Sequence, residues 1–145
     1  MYQRKYIFVD ASAWIAIMYE GDKNHTDAKE IYIRELENDS VFFISNWTAY
    51  EAFSYLKSKA GIEKTEKLKE IFQDINLVKP IRVTSAIEKR ALDIFWKFTD
   101  KTWGIVDITS FLIIEECNCK YAFAFDKHFK EAASQYSSYH FTILT

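Results

Sequence analysis

Apolar runs of strand length alternate with longer stretches of helical periodicity along nearly the whole chain, and few folds accept that order. Tyr6 to Val9 reads as a buried strand and Ala11 to Tyr19 as a short helix. Asn24 to Leu36 follows as a helix with Ala28, Ile31, Tyr32 and Leu36 on one face. Val41 to Ile44 is a second strand. Asn46 to Lys59 carries an apolar stripe of Ala49, Ala52, Phe53 and Leu56, and Gly61 then ends or turns that helix. Glu63 to Ile75 is amphipathic, with Leu68, Ile71, Phe72 and Ile75 inward. Leu77 to Val83 is a weak strand interrupted by Pro80, which places it at an edge or makes it an extended connection. Thr84 or Ser85 can cap a helix running to Phe98, with Glu88 placed for a capping box. After a loop over Thr99 to Gly104, Ile105 to Glu116 is apolar enough to be a central buried helix. Tyr121 to Phe125 is a strand, Lys127 to Tyr136 a helix, and Phe141 to Leu144 a final strand. Such alternation predicts an α/β fold: a parallel sheet with helices on both faces. Residues 1–145 contain no linker, repeat or low-complexity stretch and are expected to form one domain.

Composition narrows the function. Net charge is −2 and the isoelectric point about 5.9, which argues against holding nucleic acid through bulk positive charge. A nuclease remains compatible, because divalent cations on carboxylates supply local positive charge. No apolar run approaches the ~20 residues of a membrane span. Tyr6 to Val9 is too short for a signal peptide and no small-residue cleavage site follows it, so a cytoplasmic location is expected. Cys117 and Cys119 alone fit no zinc or disulfide framework, and no function is assigned to them.

In an open parallel sheet, ligands bind outside the carboxyl ends of the strands. Asp10 leaves the first strand there and Asp126 a later one. Asp107 interrupts Ile105-Val106-Asp107-Ile108, and Glu51 is flanked by Ala49, Tyr50, Ala52 and Phe53. An ionised carboxylate in such surroundings is costly unless paired, hydrogen-bonded or metal-bound, and hard oxygen donors suit Mg²⁺ or Mn²⁺. Each acid also has a plainer reading. Asp10 and Asp126 can cap the helices that follow. Asp107 can answer a helix dipole, and Glu51 can face solvent.

Four segments resemble PIN-domain nucleases, in the family's order: Phe8-Val9-Asp10-Ala11-Ser12-Ala13, Trp47-Thr48-Ala49-Tyr50-Glu51, Asp100 through Phe111, and Ala124-Phe125-Asp126-Lys127-His128-Phe129. Within that family the likeness is to VapC-type toxins of toxin–antitoxin systems. The resemblance implies a Rossmann-like PIN domain and Mg²⁺- or Mn²⁺-dependent hydrolysis of RNA that leaves 5′-phosphate and 3′-hydroxyl ends. Asp10 and Asp107 match the principal metal ligands; Glu51 and Asp126 would complete the site directly or through water. Asp100, Ser12 and Ser110 match auxiliary positions, with capping or solvation as their alternative duty. Gly104 departs from the Ser that many relatives carry. An antitoxin partner and a homodimer are also implied.

Around these acids, Lys57, Lys59, Lys64, Lys67 and Lys69 form a basic stretch that is either a solvated face or a phosphate contact. Trp14, Trp47 and Trp103 could stack on bases, core packing being the more ordinary use of Trp14. His128 could touch substrate, but a lone His after a strand is more often a surface residue. One rival is a catalytically inactive PIN-fold module that binds RNA or protein. Another is a phosphorylation receiver, which wants an acidic pair after the first strand and a Lys ending the last. Here Asp10 stands alone and Phe141-Thr142-Ile143-Leu144 has no Lys.

Overall fold

A run such as Tyr6–Val9 is apolar on both sides, and a strand of that kind survives only when both faces of its sheet are covered. The computed structural model, which describes residues 3–135 and 140–145, covers them. Strands β1 (Tyr6–Val9), β2 (Val41–Ser45), β3 (Val78–Ile81), β4 (Tyr121–Phe123) and β5 (Thr142–Ile143) form one parallel sheet in the order β3-β2-β1-β4-β5. Helices α1 (Ala11–Met18), α2 (His25–Glu37), α3 (Asn46–Lys59) and α4 (Ile62–Phe72) belong to one face. Helices α5 (Ser85–Lys97), α6 (Ile105–Glu116) and α7 (Lys127–Gln135) belong to the other.

Successive strand residues point to opposite faces, and the two cores divide accordingly. Ile7 and Val9 of β1, with Phe42 and Ile44 of β2, pack under α1–α4 around the fully buried Trp14. Phe8, Val41 and Phe43 pack on the other side against Phe111 of α6 and Phe129 of α7. The chain lays down β1, β2 and β3 in one direction and then returns to place β4 on β1's other flank. The order of strands therefore reverses between β1 and β4, and a crevice opens at their carboxyl ends.

Several expected boundaries move, each for a local reason. β4 stops at Phe123 instead of Phe125, because the Phe125 N–H turns to the Ser12 hydroxyl at 3.0 Å. β3 is an edge strand and stops at Ile81, because the Val83 N–H donates to Asn46 Oδ1 at 2.7 Å. α4 ends at Phe72, which leaves Ile75 outside the helix and 76% exposed. On α2, Leu36 is exposed and Glu35 is wholly buried instead. Thr84 caps α5 by accepting the Ile87 N–H, so Glu88 lies one residue beyond the capping-box position. β5 is shorter than Phe141–Leu144, and Tyr136, the expected end of the last helix, lies outside the described residues.

Candidate active site

Each acid reaches the crevice because a helix start holds it there. Asp10 directly follows β1, gives its N–H to the Phe123 carbonyl at 3.0 Å, and caps α1. Its Oδ2 accepts the Ser12 N–H at 3.1 Å and the Ser12 hydroxyl at 2.7 Å. That hydroxyl also accepts from Phe125, so one serine fastens the exits of β1 and β4 together. Asp126 precedes α7, and its Oδ1 accepts the His128 N–H at 2.8 Å. Asp107 lies in the first turn of α6 and accepts the Gly104 N–H at 3.1 Å. α3 starts at a capping box in which Ser45 and Thr48 exchange hydrogen bonds. Glu51 follows one turn later, at the solvent side of the cleft.

The capping duties set out for Asp10 and Asp126 are therefore real, and so is the place of Asp107 at a helix start. They do not separate the acids, which share one field. Burial pushes Asp10 up to about 6; the Ser12 hydrogen bonds oppose this, while Glu51 and Asp107 add to it. Burial also raises Glu51, and the charges of Asp107 and Asp126 raise it further. Asp107 is raised by burial first; the Gly104 N–H pulls it down, Asp126 pushes it up, and His128 pulls it down. A cleft of about 550 Å³ is lined by Glu51, Phe95, Gly104, Ile105, Val106, Asp107, Asp126 and His128, with Asp10 buried at 5% exposure.

The auxiliary positions divide. Ser12 serves Asp10 directly. Asp100 is largely exposed, with Lys101 Nζ 3.9 Å from its Oδ2. Ser110 is buried, and its hydroxyl goes to the Val106 carbonyl at 3.0 Å. Among the described residues lining the cleft there is no lysine. Lys57, Lys59, Lys67 and Lys69 are exposed, and Lys64 lies 4.0 Å from Glu20. Trp103 is core, not a stacking platform. It is 3% exposed, its indole N–H donates to Glu131 at 3.0 Å, and it meets Phe111 edge-on. Trp14 is core as well, while Trp47 is half-buried. Burial raises both thiols, Cys119 to about 12, so neither is a poised nucleophile.

His128 is the residue that sequence reasoning set aside. Far from a surface position, its side chain is 17% exposed, with Nδ1 2.8 Å from Asp107 Oδ2 and 3.3 Å from Asp126 Oδ1. The available signal was its place two residues after Asp126, where a capping turn folds the side chain back over the acid. Ligand atoms of Asp107, Asp126 and His128 all lie within 4.8 Å of one another. Acids that are partly desolvated and repel one another gain most from a shared counter-charge, so this donor set fits a hard divalent cation.

Comparison with known proteins agrees with this architecture. The family model described as PIN domain matches residues 7–135. Two curated relatives, each named 23S rRNA-specific endonuclease VapC20, come from Mycobacterium tuberculosis strains CDC 1551 / Oshkosh and ATCC 25618 / H37Rv. Each is 27% identical over 126 residues, covering 87% of this chain and 93% of the relative. The crystal structure of Mycobacterium tuberculosis VapC20, described as a Sarcin-Ricin loop cleaving toxin, superposes with a TM-score of 0.78. That match is also 27% identical and covers 87% of this chain and 94% of that one.

Proposed function

Because this chain belongs to the PIN domain family, we propose that it is a divalent-metal-dependent endoribonuclease that hydrolyses RNA phosphodiester bonds, and the toxin of a type II toxin–antitoxin pair. The reading is supported by Glu51, Asp107 and Asp126 lining one cleft, with the buried Asp10 near enough to feel the charges of Glu51 and Asp107. All four acids are intact, which speaks against the inactive-module alternative.

Asp10 and Asp107 would hold Mg²⁺ or Mn²⁺, with Glu51 and Asp126 completing the site directly or through water. When bound, such an ion supplies the charge that makes water deprotonable near neutral pH and offsets the phosphate's negative charge. The chain's own residues do the remaining work. Ser12 holds the Asp10 carboxylate in one orientation. Glu51, whose proton affinity is raised, is placed at the open side of the cleft to take the proton of the attacking water. Gly104 fixes Asp107 through its N–H.

Residues 1–145 act as one domain in this reading. A small antitoxin, a second copy of the chain and a cytoplasmic location complete it, and no helix among the described residues is long and apolar enough to cross a membrane. The named relatives make 23S rRNA the first substrate to test. Purified protein with Mg²⁺ or Mn²⁺ is expected to cut RNA to products with 5′-phosphate ends. Asp10→Asn and Asp107→Asn should each lose well over about a hundredfold in rate with circular dichroism unchanged, since outer partners of a metal site alone are worth 10–100-fold. Wild-type cutting by either variant would refute the assignment. RNA that is bound but uncut at saturating Mn²⁺ would favour the inactive module.

A further inference from the structure

Resting on the reading that Asp107 and Asp126 hold the cation, we propose that His128 joins them as a nitrogen ligand through Nδ1. The His128 N–H is taken by Asp126 Oδ1 at 2.8 Å, which holds the backbone beside that acid, and the ring lines the cleft. Nδ1 then lies 2.8 Å from Asp107 Oδ2 and 3.3 Å from Asp126 Oδ1. In an octahedral site with bonds of about 2.1 Å, neighbouring donors stand about 3 Å apart. Nδ1 therefore already stands from each carboxylate oxygen at about the spacing of adjacent vertices, and ligand atoms of the three residues lie within 4.8 Å of one another.

The far side of the ring gives independent support. His128 Nε2 lies 3.2 Å from Thr102 Oγ1. Ligation through Nδ1 requires the ring proton on Nε2, and a hydroxyl able to accept it stands there, the outer partner that metal-bound histidines generally have. Both ring nitrogens thus have a use in the ligated state, and at 17% exposure the side chain does not depend on water for either. The chemical consequence is selectivity. Mg²⁺ takes oxygen donors and retains its waters, whereas a nitrogen donor favours first-row transition ions. The site should therefore prefer Mn²⁺ or Fe²⁺ to Mg²⁺ more strongly than an all-carboxylate site would. The competing arrangement, in which Nδ1–H donates to Asp107 and merely positions it, satisfies the same distances without a metal–nitrogen bond.

Pulsed electron paramagnetic resonance on Mn²⁺ added to the full chain separates the two. Wild-type protein should show nitrogen coupling to the bound ion that changes isotope pattern when histidine alone is ¹⁵N-labelled. The coupling should disappear in His128→Gln, which identifies the residue among the three histidines. Calorimetric titration of that variant should show Mn²⁺ affinity reduced by about tenfold or more and Mg²⁺ affinity changed much less, as expected for loss of a nitrogen donor. Bound Mn²⁺ with no histidine nitrogen coupling in the wild type would overturn ligation by His128 and leave the carboxylate site standing. Absence of Mn²⁺ binding altogether would overturn this inference together with the metal reading beneath it.

Discussion

Asp10 shows how a single carboxylate can meet a structural need and a chemical one with the same oxygens. As a cap it accepts the Ser12 N–H; as a buried acid among Glu51 and Asp107 it is pushed up to about 6. With no cation present, the folded chain therefore binds this proton more tightly than the unfolded chain, whose value is near 3.8. Stability that is fully present below pH 4 is then lost as pH rises through 6, by about 3 kcal/mol. Asp10→Asn keeps an oxygen for Ser12 and removes that loss. In chelator at pH 7.5 the variant should unfold at higher urea concentration than wild type, and the two midpoints should converge near pH 4. A less stable variant at pH 7.5 would contradict the account. Asp10 could be read in the sequence because a strand end is where an acid matters. His128 could be read only as a residue two places after Asp126; its contact with Asp107, 21 residues earlier in the chain, could not.

Helix α2 was recognised as a helix with the correct inner residues except at its end. Periodicity alone makes Leu36 an inward position, yet Leu36 is exposed and Glu35 is fully buried. Burial would raise this acid, but the Ser40 hydroxyl and the Lys5 and Arg34 side chains outweigh it and hold Glu35 below its ordinary value. Its partners come from the residue before β1 and the residue before β2, so the pairing fastens α2 to the sheet's amino-terminal edge. No local pattern announces a partner 30 residues away. Glu35→Ala should cost about 1–3 kcal/mol, because it leaves the buried Ser40 hydroxyl without its acceptor, whereas Leu36→Ala should cost under about 0.5 kcal/mol. Chemical denaturation of the two variants checks the order, and equal losses would restore Leu36 as the buried residue. At the other end of the sheet, Ser45→Ala breaks the α3 capping box and should cost about 1 kcal/mol. It should also slow RNA cleavage, since Glu51 depends on that helix start for its place.

For the whole molecule, strand order governs what the sequence disclosed. Alternation of strands and helices implied a parallel sheet, and a parallel sheet implied that acids leaving its strands would meet; both follow from topology without any side-chain detail. The lining of the cleft did not follow, since it depends on loops that bury Trp103 and leave Asp100 outside. A molecule with net charge −2 that collects acids in one crevice should answer a cation globally. At a Mn²⁺ concentration a hundred times its dissociation constant, binding adds about 2.7 kcal/mol, or about 5–10 °C in melting temperature for a chain of this size. Differential scanning fluorimetry should record that shift in wild type and not in Asp107→Asn; equal shifts would place the ion elsewhere. The sheet's two margins have a consequence for assembly. On one side β3 includes Pro80, which has no N–H to offer, and on the other β5 is only two residues long. Neither border is a good template for a neighbouring strand, so copies of this molecule should not knit their sheets into a continuous ribbon.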